Sequence, residues 1–282
     1  MEIGINGKPA DITLEEEKTL GEVLAGIHNW LEGSGLYLSG LEVDGKSYGA
    51  LSMEEAFALP LEGISAVDLK TSGWAELMLE ALVSLRCRLT DQEGASASPW
   101  AEDPAALFLE KNAAGLYGMA SKSLAGSLSA EAVLPVIAER IREIEKPREE
   151  LAASMPLIDE IARRLEELPL DLQTGKDGRA AETVTIFSAL GEKLYRLIFL
   201  FRQYGTDPEK IPVPSEDSPA ANLKDYIEEF SAALRELIGA YENGDTVLVG
   251  DLAEYELAPR LLRLASILNG PKCNPNQGGN GR

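Results

Sequence analysis

Apolar and polar residues alternate clearly in the first quarter of the chain. Residues 1–5 place Met, Ile and Ile at every second position, which is the pattern of a half-buried strand. Asn6-Gly7 follows, and Asp44-Gly45 occurs later. Both dipeptides readily adopt positive φ at the two central positions of a tight hairpin turn. We expect strands at residues 1–5, 9–14, 41–43 and 66–70, with a returning strand at Tyr48.

Two helices are expected among these strands. Thr19 and Glu22 have the spacing of a capping box, in which each side chain accepts a hydrogen bond from a backbone N–H at the helix start. The apolar residues that follow recur at helical spacing and form one stripe: Leu20, Val23, Leu24, Ile27 and Leu31. Residues 33–35 end this helix, and Ser52 opens a shorter one that ends before Pro60.

The order of these elements resembles the ubiquitin-like β-grasp fold. The resemblance covers about the first quarter of the chain. It rests on residues 1–5, the capped helix from Thr19, Asp44-Gly45-Lys46 and Leu51-Ser52. It implies a small docking domain, since such domains serve many roles. A ubiquitin-like modifier would end in a free Gly-Gly tail. Here the chain continues through Gly73-Trp74 into a helix, and Gly278-Gly279 lies far downstream, so we expect docking and not conjugation.

The remainder of the chain has helical periodicity. Apolar spacing and capping signals predict helices from Ser72 to Leu89, from Asp103 beyond Leu116, from Ser129 to Ile144, from Lys146 to Leu165, and at residues 180–204, 220–241 and 245–268. Residues 92–101, 169–178 and 205–219 are expected as breaks or loops. Asn243-Gly244 makes the last two helices an antiparallel pair, and Pro259 is expected to kink or restart the final helix.

These patterns predict an α+β fold, with a small β-grasp domain followed by an all-α bundle. The expected division is a β-grasp-like domain at residues 1–71, a helical bundle at residues 72–269 and a disordered tail at residues 270–282. The helical part also resembles bacterial proteins of unknown function, a resemblance that implies no activity.

Charge and composition exclude several classes of partner. The formal net charge is −21 over 282 residues, which disfavours binding to nucleic acids and to anionic membranes because both depend on Lys and Arg. Two cysteines, Cys87 and Cys273, are expected as free thiols in a reducing compartment. The N-terminus lacks the features of a signal peptide, and residues 197–201 are too short an apolar run to span a bilayer. We therefore expect a cytoplasmic protein without membrane insertion.

Candidate chemistry is sparse. The single histidine, His28, favours a solvated or helix-capping role. Residues 174–179 resemble a phosphate loop but lack its leading glycine and the hydroxyl residue after the lysine, so a turn is expected. Asp245, Asp251, Glu254 and Glu256 are close in sequence, but helical spacing separates the two glutamates, and Glu256 favours an ion pair with Arg260. No catalytic, cofactor-binding or metal-binding residue is predicted.

The predicted function is therefore non-catalytic. We expect a bacterial adaptor or regulatory protein that binds protein partners. A homodimer formed through its long helices is one possible assembly. An enzyme with a carboxylate, Lys and Arg site in an interdomain cleft is an alternative, and an acidic helical secretion or assembly chaperone is another. Two segments have open roles: residues 197–201 are either central in the bundle or a binding face, and residues 244–257 either pack within a hairpin or form a docking surface.

Overall fold

The computed structural model describes residues 1–12, 17–33, 35–48, 53–90, 99–213 and 220–270. The chain forms two compact units, Met1–Ile141 and Arg142–Arg282, which we call unit 1 and unit 2. A five-stranded sheet lies in unit 1, and helices make up most of the rest. The α+β class predicted from the sequence is confirmed. The division at residues 1–71, 72–269 and 270–282 stays a prediction, and residues 271–282, with Cys273, lie outside the described ranges.

The sheet of unit 1 is mixed. Its strands are β1 (Glu2–Ile5), β2 (Lys8–Pro9), β3 (Leu36–Val43), β4 (Lys46–Tyr48) and β5 (Ala66–Gly73). Their order across the sheet is β2-β1-β5-β3-β4. Strands β1 and β5 are parallel, with Ile3 opposite Val67, and the other three pairings are antiparallel. The strand that comes last in the sequence, β5, is therefore the central strand of the sheet.

Both predicted hairpin turns are confirmed. The φ angles are 52° at Asn6 and 72° at Gly7, and 48° at Asp44 and 82° at Gly45. Two consecutive positive φ angles match the right-handed twist of the strands that the turn joins. The Asp44 carboxylate also accepts hydrogen bonds from the N–H groups of Ser65 and Ala66, at 2.9 and 2.8 Å. This turn therefore also holds the start of β5.

Helix α1 (Leu20–Gly33) covers the apolar side of the sheet. Its capping box is formed as predicted: the Thr19 N–H donates to Glu22 Oε2 at 3.2 Å, and the Glu22 N–H donates to Thr19 Oγ1 at 3.4 Å. All five residues of the predicted stripe are buried. They share one core with buried strand residues, namely Ile3, Leu41, Val43, Tyr48, Val67 and Leu69.

Three strand lengths differ from the prediction. Strand β2 covers two residues instead of 9–14, because Pro9 has no N–H to donate and the strand lies at the sheet edge. The predicted end of that strand, Leu14, lies outside the described residues. Strands β3 and β5 are both longer than expected, since Leu36 pairs with Gly73. Each extension depends on the other strand, so neither could be read from local alternation.

Unit 1 continues with α2 (Met53–Phe57), α3 (Trp74–Thr90), α4 (Pro104–Asn112), α5 (Ala114–Leu124) and most of α6 (Ala130–Glu145). The predicted caps Asp103 and Ser129 are formed, because their side chains accept hydrogen bonds from the N–H groups of Ala105 and Glu131 at 2.8 and 3.2 Å. The predicted cap Ser52 and most of the 92–101 break lie outside the described residues.

Two predictions at the start of this helical region are wrong. Ser72 does not begin α3: it lies in β5, and its hydroxyl donates to Ser39 Oγ at 3.1 Å. Helix α4 stops at Asn112 instead of running beyond Leu116. Its Asn112 amide oxygen accepts a hydrogen bond from Trp74 Nε1 at 3.0 Å, a tertiary contact that local propensity does not reveal.

Unit 2 contains α7 (Pro147–Gln173), α8 (Asp177–Gln203), α9 (Leu223–Glu242), α10 (Thr246–Asp251), a π-helix (Leu252–Leu257) and α11 (Ala258–Asn269). One continuous apolar core joins these elements. At its centre lie Phe187 of α8 and Phe230 of α9, whose ring centroids are 6.3 Å apart at an edge-to-face angle of 79°. Such a pair favours contact between the positive edge of one ring and the negative face of the other.

The expected loop at residues 169–178 is much shorter in the structure. Helix α7 passes through Pro169 and ends at Gln173, and α8 begins at Asp177. Gly175 has φ 69°, and the Lys176 N–H donates to the Asp171 carbonyl at 2.9 Å. This is the Schellman arrangement that ends many helices. Pro169 was misleading because α7 continues past it for one more turn, although proline has no N–H to donate to the residue four positions earlier.

The final helix is interrupted by a π-helix and not by a simple kink. Pro259 has no N–H, so it cannot donate the regular hydrogen bond to the residue four positions earlier. The Ala258 N–H instead donates to the Ala253 carbonyl, five residues back. The wider π turn thereby accommodates Pro259 without ending the helical path, and α11 begins directly after the π-helix, at Ala258. The sequence predicted the disturbance at Pro259 but not its form.

Candidate functional site

The apolar segment 197–201 belongs to the interior of unit 2. Leu197, Ile198, Leu200 and Phe201 are buried, whereas Phe199 is 37% exposed. Four of these five side chains therefore pack in the core of unit 2. Of the two alternatives for this segment, the structure confirms the central position in the bundle and not the binding face.

The two weak motifs of the sequence do not form sites. His28 is exposed on α1. Residues 174–179 form the turn between α7 and α8, where Lys176 Nζ lies 3.4 Å and Arg179 Nε 3.3 Å from the buried Asp171 carboxylate. Arg179 also pairs with Glu167. The two cations of this turn are therefore engaged with carboxylates of α7, as expected for a structural turn.

Two of the four acidic residues near the C-terminus have local structural partners. Asp245 caps α10, accepting a hydrogen bond from the Leu248 N–H at 3.0 Å. Glu256 pairs with Arg260, as predicted from their spacing. Within the described ranges, no three His, Cys, Asp or Glu side chains come close enough together to hold a metal ion.

The hairpin formed by α9, α10 and the π-helix exposes large apolar side chains. We call these residues the hairpin surface: Ile238, Tyr241, Val247, Leu248 and Tyr255. Val247 is 73% and Tyr255 66% exposed. The same hairpin buries Leu237, Val249, Leu252 and Leu257 in the core of unit 2. Core packing therefore uses one side of these helices and does not account for the exposed side.

Local hydrogen bonds hold the hairpin surface in place. The Asp245 N–H donates to the Ala240 carbonyl at 3.0 Å, and the Gly244 N–H donates to the Tyr241 carbonyl at 3.1 Å. Gly244 has φ 70°, which permits this tight connection. A hydrogen bond to the Glu254 carboxylate raises the pKa of the Tyr255 hydroxyl above its ordinary value, so this group keeps its proton. These hydrogen bonds fix the backbone conformation of the connection between the helices that carry the exposed side chains.

Sequence reasoning identified the second half of this surface but missed the first. Residues 244–257 were recognised as apolar around much of the helix. Ile238 and Tyr241 fell within the helix predicted at residues 220–241, and no exposed role was predicted for them. The available signal was a second apolar stripe on α9, in which Ile227, Leu234, Ile238 and Tyr241 recur every three to seven residues beside the buried stripe.

A groove of about 670 Å³ lies elsewhere in unit 2, at the end of α8 and the start of α9. Its apolar lining includes Ile198, Phe199 and Ile227. Two carboxylates of its lining are paired with lysines: Lys224 Nζ lies 2.8 Å from Glu209, and Lys210 Nζ lies 2.9 Å from Asp207. Carboxylates paired with lysines in this way favour a structural role over acid–base chemistry.

A buried charge network connects the start of unit 2 to α8. Glu143 is 1% exposed, and both its carboxylate oxygens accept hydrogen bonds from the Arg196 guanidinium at 2.9 Å. Glu150 accepts from Arg142 and Lys193 at 2.8 and 3.0 Å. Paired buried charges of this kind position helices, because an unpaired charge there is costly.

The Glu150 contacts predict a pH-dependent stability. Burial opposes ionisation of this carboxyl, but the hydrogen bonds from Arg142 and Lys193 outweigh it and lower its pKa. A lowered folded-state pKa contributes stability above the unfolded-state value, and that stability is lost as pH falls through the folded-state value. We expect the free energy of unfolding of unit 2 to decrease over this acidic range.

Urea titrations at several pH values, followed by far-ultraviolet circular dichroism, measure the effect. Glu150→Gln is expected to be less stable than the wild type at neutral pH and to flatten the acidic part of the profile. Glu149→Gln is a matched control, because Glu149 is exposed and pairs only with Lys146 among the described residues. An unchanged profile in Glu150→Gln contradicts the prediction.

None of the helices in the described ranges combines the length and apolar character that a bilayer span requires. Two family models match parts of the chain. Residues 1–73 match the TP0873 N-terminal domain, and the match ends where β5 ends. Residues 149–267 match a domain of unknown function (DUF8042), a range that contains the whole hairpin surface. Each match covers less than half of the chain.

One relative extends these comparisons. An uncharacterized protein from Treponema pallidum (strain Nichols) is 37% identical over 95 residues, which is 34% of this chain and 44% of that protein. The chain thus spans less than half of the length of this relative. No solved structure matches the chain.

Proposed function

We propose that this protein is a non-catalytic adaptor or regulatory protein and that the hairpin surface is its docking site for another protein. The observation that carries the proposal is the exposure of five large apolar side chains within a single hairpin, among them Val247 at 73% and Tyr255 at 66%. Concentrated apolar exposure favours binding to a partner, because solvation of such side chains is unfavourable. Tyrosine is also enriched among the residues that dominate binding energy at interfaces.

We propose further that residues 1–73 form a ubiquitin-like β-grasp module. The support is a mixed sheet in which the first and last strands are parallel neighbours and one long helix covers a single face. In this proposal the module is a second protein-binding element. A cytoplasmic setting is also proposed, because Cys87 is a free and exposed thiol, as is usual in reducing compartments.

Affinity purification from the source cells, followed by mass spectrometry, tests the docking function. The wild-type chain is compared with the double variant Val247→Asp, Tyr255→Asp. Both positions are exposed, and aspartate in the first turn of α10 suits the helix dipole, so the variant is expected to fold. Loss of two central apolar contacts of about 2 kcal/mol each, about 4 kcal/mol together, reduces affinity by roughly 700-fold. We therefore expect the wild-type partner to be absent from the variant sample.

Leu107→Asp is the matched control. Leu107 is 54% exposed on α4 of unit 1, so this change introduces one aspartate at an exposed apolar position that is not part of the hairpin. It should retain the partner. If the double variant retains the same proteins as the wild type, the hairpin surface is not a docking site. An enzymatic activity that a single point mutation abolishes contradicts the non-catalytic proposal.

A further inference from the structure

We infer that the hairpin surface receives a basic amphipathic helix of its partner protein. This inference rests on the proposed docking function and adds the chemistry of the partner. From Glu236 to Glu256 the chain contains six acidic residues and no Lys or Arg. The six acids are Glu236, Glu242, Asp245, Asp251, Glu254 and Glu256, and each is at least partly exposed. All the apolar residues of the hairpin surface fall within the same segment.

The acids of this segment have little internal neutralisation. Among the described residues, Glu256 is the one member of the six with a Lys or Arg at salt-bridge distance, namely Arg260. Asp245 is engaged by the Leu248 N–H, and Glu254 by the Tyr255 hydroxyl, which leaves their negative charge in place. Between Arg235 and Arg260, the segment thus combines exposed apolar groups with charges of one sign. Complementary charge on a partner raises both its association rate and its specificity.

The same charges argue against other occupants. A second copy of this chain would bring two acid-only segments together, and like charges at an interface cost free energy. Nucleic acids and anionic lipid surfaces carry negative phosphates and are repelled in the same way. Lysine or arginine side chains on a partner meet no such penalty.

The shape of the surface favours a helical partner. Ile238 and Tyr241 are three residues apart and share one face of α9, and Val247 and Leu248 follow directly on α10. Helices pack by inserting side-chain ridges of one into grooves of the other. An amphipathic helix with apolar residues at every third and fourth position presents a matching stripe, and its basic residues can meet the acidic residues of segment 236–256.

The test uses a fluorescent synthetic peptide of leucine and lysine, about 18 residues and roughly 27 Å long as a helix, designed with one apolar face. Binding to the full chain is measured by anisotropy at several salt concentrations. We expect the wild type and Leu107→Asp to bind equally, with affinity falling as salt rises. A scrambled peptide of the same composition, which has no apolar face, should bind at least about tenfold more weakly.

Two double variants separate docking from plain charge attraction. Val247→Asp, Tyr255→Asp adds two negative charges and removes apolar contacts, and we expect about tenfold weaker binding. Glu242→Gln, Asp251→Asn keeps the apolar side chains, and we expect weaker binding with a smaller salt dependence. If the first variant binds as tightly as the wild type or more tightly, attraction is electrostatic only and the inference is overturned. Equal binding of a leucine and glutamate peptide overturns it as well.

Comparison with the purification experiment distinguishes a failure of the basic-helix inference from a failure of the docking function. A captured protein that needs Val247 and Tyr255 but binds without salt dependence, or is not displaced by the peptide, contradicts the basic helix and leaves the docking function intact. A light-scattering mass of about twice 30.4 kDa that reverts to the single mass in the Val247→Asp, Tyr255→Asp variant would identify a second copy as the occupant and overturn the inference.

Discussion

Phe230→Ala is expected to lower the free energy of unfolding of unit 2 by about 3–5 kcal/mol. Phe230 is fully buried and meets the Phe187 ring edge-to-face at a centroid distance of 6.3 Å. The substitution removes the apolar transfer energy of the ring and leaves a cavity that the surrounding helices fill only in part. It also removes the aromatic pair interaction, which adds about 0.5–1.5 kcal/mol.

Urea unfolding followed by far-ultraviolet circular dichroism measures this loss. The three tryptophans, Trp30, Trp74 and Trp100, all lie in unit 1, so tryptophan fluorescence provides an internal control for that unit. Phe199→Ala is the matched control for unit 2, because Phe199 is 37% exposed on the same helix as Phe187. We expect it to cost about 1 kcal/mol or less. Equal losses in the two variants would show that Phe230 does not anchor the core.

Arg196→Met is the second substitution with a large expected effect. Its side chain holds both oxygens of the buried Glu143 carboxylate at 2.9 Å. The substitution takes two charge-assisted hydrogen bonds away from a buried carboxylate, and breaking a buried ion pair in this way costs about 3–5 kcal/mol. Because the Arg196 side chain is 29% exposed, solvent screening places the expected loss near about 3 kcal/mol.

A double variant distinguishes the loss of the ion pair from the loss of side-chain packing. Glu143→Met, Arg196→Met replaces both charges by apolar groups of similar length, and we expect most of the lost stability to return. Arg163→Met is the matched control, since Arg163 also contacts two carboxylates, Glu160 and Glu167, but is half exposed. It should cost about 1 kcal/mol or less. A double variant no more stable than Arg196→Met alone contradicts a role through the buried charge.

Local chemistry was sufficient to predict several elements of the fold. Asn6-Gly7 and Asp44-Gly45 form their turns because each dipeptide tolerates the positive φ that the turn requires. The capping box of Thr19 and Glu22 and the buried stripe of α1 were likewise readable, since caps and helical periodicity depend on residues within a few positions of one another.

Other elements depended on distant residues and were mispredicted. Strand β5 runs to Gly73 because Leu36 lies beside it, and α4 stops at Asn112, where the side chain meets Trp74. Proline was a poor guide in unit 2: Pro169 lies inside α7, and Pro259 follows a π-helix. For β5 and α4 a contact with a distant residue set the end of the element, whereas at Pro259 the sequence located the disturbance and the structure gave its form.

The hairpin surface likewise depends partly on local sequence and partly on tertiary packing. The sequence by itself determined that residues 236–256 are acidic and lack Lys and Arg, and that Asn243-Gly244 joins two helices, because charge and turn preference belong to single residues. Only the tertiary structure decided which apolar residues of this segment face water. Leu252 and Leu257 enter the core while Val247 and Tyr255 remain exposed, and the π turn required by Pro259 changes the spacing that periodicity assumes. Exposure is a property of what packs on the other side of a helix, and the helix's own sequence does not contain it.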